Sequence, residues 1–185
     1  MKKLIALLLV LVMAMGMIAC GNNTNDNKDA QGPASALELL SNVWAGFAED
    51  EKFPVMGGDM NNMVDGAPGN YDLADEGLTS TLLIPAEEVA NVDEAASLVH
   101  GMMLNNFTCG AFHVTGDVKA FAEAMNTAIS NNQWMCGMPE KMLVAIVGEY
   151  VVATFGLESV ITTFEGKLTA AYPSTEIVYN AAITG

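Results

Sequence analysis

The chain has 185 residues, 51% of them hydrophobic, and carries 22 Asp and Glu against 7 basic residues for a formal net charge of −15. Every basic residue is a lysine, which excludes recognition of phosphate or carboxylate by a planar arginine fork. Scattered lysines cannot neutralise a phosphate backbone or hold an anionic lipid surface, so nucleic acid is not an expected partner, while a cationic, neutral or sugar-like one stays open.

At the N-terminus, Lys2 and Lys3 precede an unbroken apolar run from Leu4 to Val12, then small residues and a single Cys20. This is the build of a secretory signal peptide over 1–19 rather than of a spanning helix. Met17-Ile18-Ala19-Cys20 resembles the lipobox of bacterial lipoproteins, with Met where Leu is usual. The resemblance implies a diacylglyceryl group on the Cys20 sulfur, and so an extracytoplasmic protein lipid-anchored to the outer face of the cytoplasmic membrane. Two acyl chains suffice for stable anchoring, since each buried CH₂ is worth about 0.8 kcal/mol. Residues 20–35, rich in Asn, Gly, Asp and Ser, have almost nothing to bury and are expected to form a flexible tether. What remains, 36–185, is the length of one domain.

Within that domain, Ser35 and Glu38 form a capping box, and Leu37, Leu40, Trp44 and Phe47 recur at helical spacing, predicting a helix over 36–48. Residues 53–77 are a long loop of Gly, Asn, Asp and Pro with Met56, Met60 and Met63 between them. Loops of this length in a compact domain are often functional, so Met56, Met60, Met63, Asp65 and Tyr71 are candidate binding residues. The segment from Asp65 to Glu76 has the span of a calcium hand but fails as one, because Ala67 and Gly69 stand where oxygen ligands belong.

Residues 79–84 then read as a strand, 85–88 as a helical turn, and 92–103 as a second helix with Asn91 and Glu94 as its capping pair. A strand is expected over 107–114, and a helix from Asp117 through Ile129 on the 3.6-residue period of Val118, Phe121, Ala122 and Met125. After the connection WMCGMPEK, residues 142–147 and 150–155 read as strands about a Gly148-Glu149 hairpin turn. An amphipathic helix over 157–172 and a strand over 176–183 complete the chain. The order β-α-β-β-α-β from Phe107 onward predicts an α+β fold with a ferredoxin-like antiparallel sheet and two helices on one face, extended by the N-terminal helix and long loop.

The run AFHVTGDVKAFAEAMNTAISNNQW, followed by MPEKMLVAIVGEYVVATFG and a closing helix, resembles an uncharacterised lipoprotein family of Gram-positive bacteria catalogued only as a domain of unknown function. The likeness covers about Leu83 to Pro173. Its motifs are structural, and it implies location and fold class without bringing a catalytic residue.

The chemistry-bearing residues leave three readings. A tethered acidic domain with a Gly/Asn/Met loop suggests a binding or interaction module for a small molecule or protein, with no cofactor implied. Soft ligands at Met135, Cys136 and Met138, with His113, suit a copper-type ion, against which stands ordinary plugging of a helix–strand joint by apolar residues. A cell-envelope enzyme is the third reading, although His100 and His113 show no nucleophile at catalytic spacing. On a strand Cys109 and His113 would stand roughly 13 Å apart, at about 3.3 Å per residue. Export also permits a Cys109–Cys136 disulfide.

Overall fold

The computed structural model describes residues 32–184; the signal peptide, Cys20 and most of the expected tether fall outside that range. Helix α1 (Ala36–Ala45) begins as its sequence demands, with the Ser35 hydroxyl accepting the Glu38 N–H at 2.9 Å, and ends at Gly46. The long loop contributes three short strands, β1 (Val55–Gly57), β2 (Val64–Asp65) and β3 (Gly69–Asn70). A single helical turn, α2 (Gly77–Ser80), follows. Strands β4 (Val92–His100) and β5 (Phe107–Val114) are joined by a short connection. Helix α3 (Val118–Ser130) is capped by the Asp117 carboxylate, which accepts the N–H groups of Lys119 and Ala120. The hairpin of β6 (Lys141–Val147) and β7 (Tyr150–Gly156) turns at Gly148, whose φ of +63° suits glycine. Helix α4 (Glu158–Ala171) and strand β8 (Glu176–Ala182) end the fold.

The molecule is α+β, with an open antiparallel eight-stranded sheet in the order β2-β1-β4-β5-β7-β6-β8 and β3 paired to β4. Two expectations are corrected by it. Residues 92–103 do not form a helix: 92–100 are strand β4, paired along β5 from Val92↔Val114 to Val99↔Thr108. The pair that imitated a helix start works elsewhere, since Glu94 Oε1 accepts the Ala36 N–H at 2.9 Å and so supports the start of α1. Residues 79–84 are not a strand either. Leu78, Leu82 and Ile84 fold over the sheet as apolar packing, and β4 already has β1 and β3 on its outer side.

These corrections explain the topology. The β-α-β-β-α-β order along the chain is present, but β4 takes the place beside β5 that a ferredoxin-like sheet gives to its last strand. Strand β8 pairs with β6 instead. Both crossovers, β5 to β6 and β7 to β8, then move the same way across the sheet from strands of opposite direction. Crossovers of one hand must in that case place their helices on opposite faces. They do so, rather than sharing one face. Leu39, Leu40 and Val43 of α1 and Phe164 and Leu168 of α4 pack with Leu98, Phe107 and Val152 on one side. On the other side Phe121, Met125 and Ile129 of α3 pack with Phe112, Val144 and Phe155. Strand β7 is therefore buried at every residue, which is why it reads as a continuous apolar run.

A candidate binding cleft rimmed by methionine

The long loop is built on close backbone contact. A Cβ on Gly57 would fall on the backbone of Gly69 and Pro68, and one on Gly58 would fall on the Asn62 carbonyl. Only glycine lets the two halves of the loop lie against each other there. Asp59 closes the structure. Only 2% exposed, its carboxylate accepts the N–H groups of Asn61 at 2.8 Å, Asn62 at 3.0 Å and Asp72 at 3.1 Å, with the Asn62 amide nearby. Burial works to raise this carboxyl, but the donors around it outweigh that and hold it below the ordinary aspartate range. The Trp44 indole pins the far side of the loop through Gly66 O at 3.1 Å.

Between this loop, α2 and the end of β4 lies a cleft of ≈ 480 Å³. Met56, Met60 and Met63 line one side, Val99 and Leu104 the sheet side, and Tyr71 the interior. Asp75 and Glu76 stand on the α2 side, and no lysine is among the described lining residues. Burial, and then the charges of Asp75 and Asp59, push the Tyr71 hydroxyl up to about 12, so it is a neutral donor at physiological pH. A Cβ on Gly77 would strike that hydroxyl, which fixes glycine at the start of α2. The volume lies within the range of small-ligand sites, and apolar walls with a few polar groups are their usual make-up.

Of the candidate loop residues, Met56, Met60, Met63 and Tyr71 thus meet in one cleft. Asp65 does not line it; it is an exposed residue of β2 opposite Met56. Sequence reasoning missed Leu104, which arrives from the β4–β5 connection, because its partner strand β4 was expected to be a helix.

The soft ligands do not assemble. Met135, Cys136 and Met138 lie in the α3–β6 connection, which the Asn105 amide ties down by donating to Met135 O and Gly137 O. Asn105 precedes β5, whereas His113 is near the far end of that strand, roughly 20 Å away at 3.3 Å per residue. His113 Nδ1 instead meets Asp93 at 2.5 Å, with Glu149 3.8 Å from Nε2. The hydrogen bond to Asp93 raises its pKa against a lesser effect of burial. The disulfide is corrected as well: both cysteines are free, Cys109 buried in mid-sheet and Cys136 exposed in its turn. Burial pushes the Cys109 thiol far up, so it offers no thiolate nucleophile. Nor do the methionines of WMCGM plug the sheet end. Trp134 does pack, 4.8 Å from the Phe155 ring, but Met135 and Met138 point outward.

No protein-family model, curated protein or solved structure matches the chain. The site therefore rests on its own geometry. Among the described residues, no helix is long and apolar enough to cross a membrane.

Proposed function

We propose that the protein is an extracytoplasmic lipoprotein, anchored through Cys20, whose domain is a binding module that takes an apolar group into the methionine cleft. One observation carries the reading. A loop held rigid by backbone contact and a buried carboxylate spends three flexible thioethers on a concave wall instead of on the core. Thioethers adapt to varied apolar shapes, which suits binding more than catalysis. The signal-like segment, the lipobox resemblance and the likeness of Leu83–Pro173 to a Gram-positive lipoprotein family support the location.

The neutral apolar dye Nile red tests the site. Its emission should shift to the blue and rise with the protein, and Ser80→Trp, which places an indole at the mouth of the cleft, should abolish the change. Dye binding that is absent, or unaffected by Ser80→Trp in a folded variant, would remove the cleft as the site. For the anchor, Cys20→Ser should release the protein from the membrane fraction and end labelling by an alkyne fatty acid.

A further inference from the structure

Methionine exposure does not stop at the cleft. Met102 is 77% and Met135 80% exposed, close to Met60 at 77%. Met102 and Met135 lie on connections at one end of the sheet, and Met60, on the β1–β2 turn, reaches them across the cleft that Leu104 also lines. The β4–β5 connection carries Met102, Met103 and the cleft residue Leu104; the α3–β6 connection carries Met135 and Met138. Both are held in place. His100 Nδ1 accepts the N–H groups of Met102 at 3.2 Å and Met103 at 3.3 Å, while its ring stacks on Phe53 at 5.5 Å. Asn105 couples the two connections through its bonds of 2.8 and 2.7 Å to Met135 O and Gly137 O. The result is an apolar strip of exposed, unbranched thioethers on a tethered backbone, running out of the cleft.

We infer that this strip and the cleft together dock a basic amphipathic helix of a partner protein, its apolar face on the methionines and one large side chain in the cleft. The inference rests on the cleft being a binding site and names its occupant. Three observations select that chemistry. The chain is strongly acidic, at −15. Asp75 and Glu76 flank the cleft, and Lys141, the nearest lysine along the chain to Met138, turns away to Thr162 at 3.3 Å and Glu165 at 4.0 Å. The strip's length also fits. From β4 to β6 are three strand spacings, roughly 14 Å, the rise of about nine helical residues. Apolar residues at i, i+4 and i+7 would cover it, with lysines on the flanks meeting the acidic rim. Unbranched thioethers would accept many such sequences rather than one.

The test is titration of the mature protein with a 14-residue Leu/Lys amphipathic peptide, alongside the same peptide with Glu for Lys, and Nile red. The Leu/Lys peptide should bind in the micromolar range. Met60→Gln, Met102→Gln and Met135→Gln, which leave the charge unchanged, should each weaken it at least threefold, while Glu123→Gln on the exposed side of α3 should not. Bound peptide should also slow alkylation of Cys136 by N-ethylmaleimide at least fivefold, read on the peptide that contains it. Equal binding of the Leu/Glu peptide, indifference to the methionine variants, or unslowed Cys136 alkylation would each overturn the inference. Nile red binding without peptide binding would sink the helix and spare the cleft; loss of both would sink the two together.

Discussion

Met125 and Met60 are the same side chain put to opposite uses in two regions of one molecule. Met125 lies on α3 with no exposed surface, packed with the apolar side of the sheet, where an unbranched thioether fills the space left between Phe121 and Ile129. Met60 stands in water at the rim of the cleft. The contrast teaches where selection for folding ends. Strands β4 to β7 bury every apolar residue that they carry, so methionines left outside are not surplus to a core too small to hold them. They sit on backbone that other residues take trouble to fix.

Breaking the core side of the contrast should give the largest effect. Met125→Ala removes a fully buried side chain and leaves a cavity beneath α3, for an expected loss of about 2–5 kcal/mol in urea denaturation. Gly57→Ala comes next. Its methyl meets backbone that cannot rotate away, so about 3 kcal/mol is expected, with Nile red binding lost even where the sheet survives, as judged by circular dichroism.

The two regions were not equally legible in the sequence. Periodicity found α3, α4 and the β6–β7 hairpin because their patterns are unambiguous, and loop composition found Met56, Met60, Met63 and Tyr71. Strand β4 was hidden for a physical reason. It is buried on both faces over Ala95 to Val99, so the alternation that marks a strand is gone, and its alanines sit at helical spacing by coincidence. Losing β4 also lost the far wall of the cleft, the sheet order and the opposite placement of the helices. The role of Met135 and Met138 was illegible for another reason: whether a methionine at a helix–strand joint turns in or out depends on Asn105, thirty residues away.

Smaller effects separate the loop's own support from its rim. Asp59→Asn sets an amide N–H against donors that now meet a carboxylate, for an expected loss of roughly 1–2 kcal/mol at neutral pH. The native carboxyl is held below its ordinary value, so its contribution is present above the unfolded pKa and fades as pH falls through the folded one. The gap between wild type and variant should accordingly narrow in acid. His113, paired with Glu94 across β4 and β5, behaves inversely. Its pKa is raised, so its contribution is full below about 6.5, the unfolded value, and is lost as pH rises through the folded one. Asp93→Asn should bring its NMR titration down and change stability by less than about 1 kcal/mol, because the carboxylate is largely exposed.

The smallest expected change is the one that decides what the exposed methionines are for. Met60→Gln and Met135→Gln should leave stability within about 0.5 kcal/mol, because neither side chain contributes to the core and neither leaves a cavity. If these variants unfold as readily as Met125→Ala, the rim is part of the core's packing and the contrast collapses. If they fold as wild type yet lose affinity for an apolar partner, stability and binding have been placed on different methionines. Thioethers kept in water at no benefit to folding, on turns fixed by His100, Asn105 and Asp59, then have recognition as the property that accounts for their position.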